Sequence, residues 1–411
     1  MTHPLQIGTD PESVELVDRF QEHFGTRPSW CVRAPGRVNL IGDHTDYNRL
    51  PVFPMAIQRA VHIVGRSRSG SGVRLVNVDA RFPPCDFAMS AKLHPEKQSW
   101  WNYVMAGARA LAEQHGARHG FDAVVSSTIP IASGLSSSSA LVVAAGLASA
   151  RANDIYLEPL VMADLMANAE RFVGTMGGGM DQAVCLGGAS GFAVEIGFSP
   201  LTLRPVEVPE GWRFVVAHSL QPAEKSGAVQ AAYNRRTTDC RLALELVVKT
   251  LQWESRQPDG PGYRELVDNF GSHGLIRVAE GVLDRALLAR FRHTVSEGER
   301  VRRAVSAMSV GAFDEFGRLM LESHSSLRND YEVSTAALDE LVERLVQHGA
   351  VGARITGAGF GGCAVGLCAS DQLETMIAGV KRSFYDARST PDVADRLFEC
   401  VPSDGAQVYD L

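Results

Sequence analysis

The sequence predicts an α+β protein folded as two halves, and three observations predict it. The chain has 411 residues, more than one hydrophobic core normally organises. Strand-like segments rich in β-branched residues alternate with helical ones up to about residue 208, and long helical stretches dominate after it. A glycine-rich turn feeding an apolar run near the C-terminus then gives the second half a strand of its own. We therefore expect one domain over residues 1–208 and a second over 209–411.

Taken in order, PESVELVDRFQEHFG reads as a helix, followed by a short β-like stretch into Arg33, Ala34 and Pro35. VHIVGRSR, VRLVNV and FDAVVSSTI read as strands from their alternation and branched side chains. WNYVMAGARALAEQHG and SALVVAAGLASARAND read as helices, the first stopped by its glycine. WRFVVAHS reads as a strand, TDCRLALELVVKTL and SEGERVRRAVSAMSVGAFDEFGRLMLESH as helical stretches, and ESRQPDGPGYREL as a loop between them. GARITGAGFGGCAVGLCA reads as a turn entering a buried strand.

Composition narrows the function classes. With 45% hydrophobic and 21% charged residues the chain is globular rather than disordered or fibrous. A formal charge of -7 argues against nucleic-acid binding, which calls for a basic face. The start, MTHPLQIGTDPESVELVDRF, lacks a positive segment followed by an apolar one, and no apolar run is long enough to span a membrane. A cytoplasmic protein with no membrane partner is expected. The seven cysteines are scattered without paired metal-ligand spacing and are expected to be reduced and mostly buried.

The most informative stretch is PIASGLSSSSAL, Pro130 to Leu141, ahead of an Ala-rich helix. Small residues let backbone curl around a ligand, and free N–H groups at a helix start point at an anion, so this is a phosphate cradle in chemical terms. It lacks the lysine of a Walker loop. Serines also cap helices, but four in succession exceed what one cap needs, and hydroxyl oxygens suit magnesium. TGAGFGGC, Thr356 to Cys363, offers a second stretch where backbone can approach a ligand, although such glycines also serve ordinary turns.

RAPGRVNLIGDHTDYN gathers Arg37, Asp43, His44 and Asp46 in a glycine-flanked turn. Two carboxylates with a histidine between them suit multidentate hydrogen bonding to the hydroxyls of a small polar ligand; turn capping is the other reading. In GTMGGGMDQAVCLGG, three glycines precede Asp181 and would let a ligand approach its side chain. An ordinary aspartate has a pKa of about 3.9, so it would orient a hydroxyl and take its proton late, while Arg37 stabilises phosphoryl oxygens. An N-capping role competes for Asp181.

These four regions, in this order, resemble the galactokinase branch of the GHMP small-molecule kinases, and the resemblance extends over nearly the whole chain. APGRVNLIGDHTDYN is similar to the branch's N-terminal signature, GLSSSSAL to the superfamily phosphate loop, GGGMDQ to the catalytic-aspartate segment and ITGAGFGGC to the third superfamily motif; SHSSLRNDYEVSTAALDEL also resembles a galactokinase stretch. The resemblance implies a GHMP kinase fold, an N-terminal mixed-sheet domain and a C-terminal α+β domain with the active site between them. It implies ATP and Mg2+ as cofactors and galactose, phosphorylated at its anomeric hydroxyl, as substrate. Position by position it makes Asp181 the catalytic carboxylate and Arg37 its partner, and places Asp43, His44, Asp46, Gly179 and Tyr233 around the sugar. Gly134, Leu135, Ser136, Ser137, Ser138 and Ser139 would wrap the ATP phosphates, Trp100 and Tyr103 would lie near the adenine, and Ser138 with Glu170 would hold the metal.

Two departures stand out. Asp43 occupies a position where this branch usually carries Glu, whose side chain there reaches toward the sugar's distal hydroxymethyl. A carboxylate shorter by one methylene withdraws by about 1.5 Å, too far to keep a direct hydrogen bond near 2.8 Å. ERFVGTMGGGMDQ is closer to the N-acetylgalactosamine kinase subgroup, whereas Tyr233 in AAYNRR matches the galactokinase tyrosine. Galactose is the expected substrate, and N-acetylgalactosamine or another galactose-like sugar the alternative. A non-catalytic sugar and ATP sensor regulating transcription is the alternative of another class; the full-length phosphate loop and Asp181 oppose it. Mevalonate and homoserine kinases lack GDHTDYN.

Overall fold

The computed structural model describes residues 11–97, 99–223, 227–255 and 260–411. Residues 1–10, in the expected N-terminal stretch MTHPLQIGTDPESVELVDRF, and 256–259, within the expected ESRQPDGPGYREL loop, lie outside the described residues.

The chain begins with helix α1 (Pro11–Phe24), then strands β1 (Trp30–Ile41), β2 (Phe53–Ser67), β3 (Gly72–Asn77) and β4 (Cys85–Ala88). Helix α2 (Asn102–His115) leads to β5 (Phe121–Ser127), and helices α3 (Ser137–Ala152), α4 (Pro159–Glu170) and α5 (Met180–Gly187) follow. After β6 (Phe192–Gly197), β7 (Thr202–Glu207) and β8 (Trp212–His218) comes the helical series α6 (Gly227–Leu251), α7 (Tyr263–Glu280), α8 (Arg285–Ser309), α9 (Phe313–Asn329) and α10 (Ala336–Gln347). Strands β9 (Gly352–Thr356) and β10 (Cys363–Ala369), helix α11 (Leu373–Val380), and strands β11 (Leu397–Cys400) and β12 (Gln407–Asp410) complete it.

The first sheet has the order β12-β1-β2-β5-β3-β4. It is mixed, since β3 and β5 run parallel and the other pairs antiparallel. The second, β11-β8-β10-β9, is antiparallel throughout. Residue 208 falls in the link between β7 and β8, and the last strand returns to pair with β1. A hydrophobic core of Val38, Phe53, Val142 and their neighbours runs continuously into Phe214, Val365 and Phe316 of the second half. On the other face of the second sheet, Leu341, Leu345, Met376 and Phe384 close a separate core.

Local chemistry explains the element ends. Asp284 caps α8 by accepting from the Leu287 N–H at 2.8 Å, and Thr335 does the same for α10 with Leu338 at 3.3 Å. The stretch SEGERVRRAVSAMSVGAFDEFGRLMLESH is two helices, not one, broken at Gly311 with φ 68°. The β-like stretch at Arg33–Pro35 extends through Ile41 despite Pro35 and Gly36. Pairing with β12 ends at Arg33, so no partner on that side calls for the N–H that Pro35 lacks. The register then shifts between Pro35 and Arg37, a bulge that re-aims Arg37, whose backbone N–H donates to Leu135 O of the serine loop at 3.1 Å. Helices α2 and α3 meet so closely at Gly107 that a Cβ there would stand 2.7 Å from Gly146 N, fixing the helix that carries the loop.

The seven cysteines are all free, six of them buried. Among the described residues, no helix is long and apolar enough to cross a membrane.

Candidate active site

Arg37 connects two of the segments singled out above. Its Nε and Nη2 both lie 2.8 Å from Asp181 Oδ1, and its Nη1 donates to Gly134 O at 2.6 Å. The arginine side chain is only 4% exposed. Asp181 sits in the first turn of α5, where the helix N-terminus favours a negative charge. Its Oδ2 accepts from Ser139 Oγ at 3.3 Å. The one Ser139 proton is shared with Glu170 Oε2, the nearer acceptor at 2.7 Å, and Ser138 donates to Glu170 Oε1 at 3.3 Å. Gln182 Nε2 donates to Glu170 Oε2 as well, so three side chains converge on this buried carboxylate at the end of α4.

A cavity of about 460 Å³ opens beside Arg37 and Asp181. Asp43, His44, Asp46, Gly179, Tyr233 and Glu170 all line it. Asp46 Oδ2 accepts from Gly178 N at 3.1 Å, and Gly178 has no alternative, since a Cβ there would stand 2.2 Å from Tyr47 N. Burial pushes the Asp46 carboxyl up to about 6, with the Asp181 charge adding to the rise against the pull of backbone N–H groups. His44 holds φ 66°, and burial lowers its pKa to about 3, so the ring is neutral. Its Nε2 faces Ala358 O at 3.1 Å and therefore donates; Nδ1 accepts from Tyr47 Oη at 2.8 Å. Tyr47 and Tyr331 hydroxyls lie 2.7 Å apart, and the Tyr233 ring packs against His44 and Tyr47.

The structure places Asp43 in the cavity wall but turns its carboxylate onto protein. Oδ2 pairs with Arg354 Nη2 at 2.6 Å, and Oδ1 accepts from Gly357 N at 3.1 Å. Burial pushes the carboxyl up, opposed by the Arg354 charge.

A second cavity, about 1170 Å³, is lined by Gly134, Ser136, Ser137 and Ser138 together with Trp100 and Tyr103. The loop curls through left-handed residues at Ala132, Gly134 and Ser136, with φ of 52°, 77° and 68°. Leu135 and Ser139 do not line this cavity. Leu135 is buried in the core and offers only its carbonyl, and Ser139 turns inward to the carboxylates. The glycine-rich turn after β9 packs against the same loop, since a Cβ at Gly134 would lie 3.3 Å from Thr356 O.

Sequence reasoning missed Gln182, Thr175 and Ala358 in the first cavity and Asn77, Phe82 and Ile131 in the second. Gln182 adjoins Asp181 in the motif, a signal that was available; Phe82 stands in a stretch with no pattern to mark it, and Asn77 in one whose alternation marks only a strand.

Among the described residues no group of three or more His, Cys, Asp or Glu side chains is placed to hold a metal. Ser138 and Glu170 nevertheless supply hard oxygen donors at the junction of the two cavities. One or two protein oxygens beside substrate phosphates suit Mg2+, which keeps several waters.

The chain is similar to known proteins along most of its length. Residues 18–67 match the galactokinase galactose-binding signature, 102–189 the GHMP kinase N-terminal domain and 303–386 the GHMP kinase C-terminal domain. A galactokinase of Roseiflexus sp. strain RS-1 is 37% identical over 393 residues, 95% of this chain and 96% of that protein. One from Chloroflexus aurantiacus is 37% identical over 89% of this chain and 90% of its own length. The crystal structure of Lactococcus lactis galactokinase complexed with galactose superposes with a TM-score of 0.82 at 29% identity, covering 95% of this chain and 98% of the other.

Proposed function

Because the chain belongs to the galactokinase family of the GHMP kinases, we propose that it transfers the γ-phosphoryl group of ATP to the anomeric hydroxyl of galactose, giving galactose 1-phosphate and ADP. One observation carries this reading: a single buried cation, Arg37, touches both the Asp181 carboxylate and the Gly134 carbonyl of the phosphate loop. A sugar hydroxyl held on Asp181 therefore meets a phosphate held by the loop.

In the proposed mechanism Asp181 orients the hydroxyl through Oδ2, Oδ1 being taken by Arg37. The oxygen attacks phosphorus as the bond to the ADP oxygen breaks, and the hydroxyl proton passes late to Asp181. Late transfer suits the loose transition state of phosphoryl transfer, in which the attacking oxygen is barely activated. Arg37 stays within reach of the transferring oxygens and offsets their charge. Glu170 and Ser138 would hold Mg2+, which when bound neutralises phosphate charge. Asp46, Gly179 and Tyr233 would read the sugar hydroxyls, Trp100 and Tyr103 the adenine. The location proposed for this chemistry is the cytoplasm.

A second substrate, N-acetylgalactosamine, is favoured by one feature. A Cβ at Gly177 would meet no atom within 4 Å, so the glycine is not demanded by packing. Gly177 also lines both the sugar cavity and a third cavity beyond it, leaving room for a substituent.

The test is ATP-dependent turnover on galactose, N-acetylgalactosamine, glucose, arabinose and galacturonate. Galactose should be the preferred substrate; preference for N-acetylgalactosamine that Gly177→Cys abolishes would establish the second reading. ATP binding without turnover on any sugar would favour a sensor.

A further inference from the structure

The turn that carries Asp43, His44 and Asp46 is anchored from outside the cavity by helix α8. Glu297, in that helix, is fully buried and does not line the sugar cavity. Its Oε1 accepts from Gly42 N at 2.9 Å and from Ser323 Oγ at 2.5 Å, and lies 3.7 Å from Arg354 Nη2. Its Oε2 accepts from Arg300 Nε at 2.7 Å. One turn earlier on the same face, His293 Nε2 donates to Asp43 O at 3.1 Å. Arg354, also fully buried, uses the same Nη2 to pair with Asp43 and its Nη1 to bond Asn39 O at 3.1 Å.

Two acids, Asp43 and Glu297, thus face two arginines, Arg300 and Arg354. Burial alone would raise the Glu297 pKa, but Arg300, His293 and Arg354 outweigh it and hold the carboxyl at about 2. A buried carboxylate is costly unless its lone pairs are matched, and two of the matching groups lead to the sugar turn: Gly42 N directly, and Arg354 through its pairing with Asp43. That turn needs holding: Gly42 and His44 have φ of 100° and 66°, a region a histidine adopts only when its surroundings over-determine it.

We propose that Glu297 is a positioning residue for the sugar, acting through Arg354 and Gly42 to fix where Asp43 and His44 stand, with no part in nucleotide binding. On this account Asp43 is read from behind by Arg354, and its carboxylate shapes the wall. The inference rests on the sugar kinase reading above and deepens it.

The experiment compares Glu297→Gln with the unaltered chain, titrating galactose and a non-hydrolysable ATP analogue separately by calorimetry and measuring KM and kcat. The amide keeps the volume and one acceptor but removes the charge. The expected result is a galactose Kd and KM raised about tenfold or more, with the nucleotide Kd unchanged and kcat at saturating galactose within about threefold. Unchanged galactose affinity, or equal weakening of both ligands, overturns the proposal, because a residue that only stabilised the fold would move both together. If Glu297→Gln does not fold, Ser323→Ala removes one hydrogen bond to Glu297 and one to Arg354, and should raise the galactose Kd about threefold; no change in that folded variant overturns it equally. Failure of the unaltered chain to bind either galactose or N-acetylgalactosamine would overturn the kinase reading and this inference together, whereas normal galactose turnover with an indifferent Glu297→Gln would remove only the inference.

Discussion

The cavity proposed for the sugar and the cavity proposed for the nucleotide are built in opposite ways. The sugar cavity is walled by charged and polar side chains whose atoms are already bonded to protein: His44 at both ring nitrogens, Asp43 to Arg354 and Gly357, Asp181 to Arg37. The nucleotide cavity presents loop backbone and serines at one end and Phe82, Trp100, Tyr103 and Ile131 at the other. The first is preorganised, so a misplaced polar atom there costs desolvation with no compensating bond. The second, on the proposed reading, would hold its ligand by stacking and by backbone N–H groups, which tolerate side-chain change. Substitutions in the sugar cavity should therefore be severe and selective, and those around the adenine mild.

The largest expected break comes at Asp181. Asp181→Ala should lower kcat by three orders of magnitude or more while circular dichroism shows an intact fold; activity within tenfold of the unaltered chain would dissolve the distinction between the two cavities. Next is Glu170→Gln, which weakens the oxygen site shared by Ser138 and Ser139. We expect kcat lower by about a hundredfold and a higher magnesium concentration for half-maximal rate, and a rate unaffected by the change would remove Glu170 from the metal site.

Asp46 sharpens the comparison through pH. With its pKa near 6, the carboxylate needed to accept from sugar hydroxyls is lost as pH falls through 6, so the galactose KM should rise below that value while the ATP KM stays flat. The stability effect has the opposite sign. The folded state holds this proton more tightly than the unfolded chain, with its pKa near 3.9, so the group favours folding at low pH. That contribution is lost between about pH 4 and 6, leaving a penalty of up to ~3 kcal/mol at neutral pH. Asp46→Asn should accordingly raise the melting temperature of the ligand-free protein at pH 8 relative to pH 4.5 while impairing galactose binding. Equal shifts at both pH values would show that Asp46 is not ionised against its surroundings.

The smallest effect belongs to the other cavity. Trp100→Ala should raise the ATP KM about tenfold, the scale of one lost aromatic contact, and leave the galactose KM alone. A matching rise for galactose would mean the two cavities are coupled after all.

The chemistry-bearing segments were legible because each is local. PIASGLSSSSAL, GDHTDYN and GGGMDQ are runs in which residue type and spacing already state the need for backbone approach or multidentate bonding. What joins them was legible only through the family resemblance, which paired Arg37 with Asp181, and not from the residues themselves. Arg37 and Asp181 are 144 positions apart, and nothing near Arg37 indicates that a bulge after Pro35 swings it across to α5. The reach of β1 through Ile41 was hidden by Pro35 and Gly36, tolerated only because β12 stops short, and β12 itself arrives from the far end of the chain. The consequence of Asp43 was half legible. Its shortened reach follows from the side chain alone, but its partner Arg354 comes from a strand more than 300 residues later.

The central claim, that Asp181 and Arg37 direct a phosphoryl group onto the anomeric oxygen of a galactose-type sugar, is tested most directly by 31P and 13C NMR of the product formed from ATP and galactose. The expected product carries phosphate on C1 alone, formed by the unaltered chain and absent with Asp181→Ala. Phosphate at any other carbon, or product formed equally well without Asp181, would contradict it.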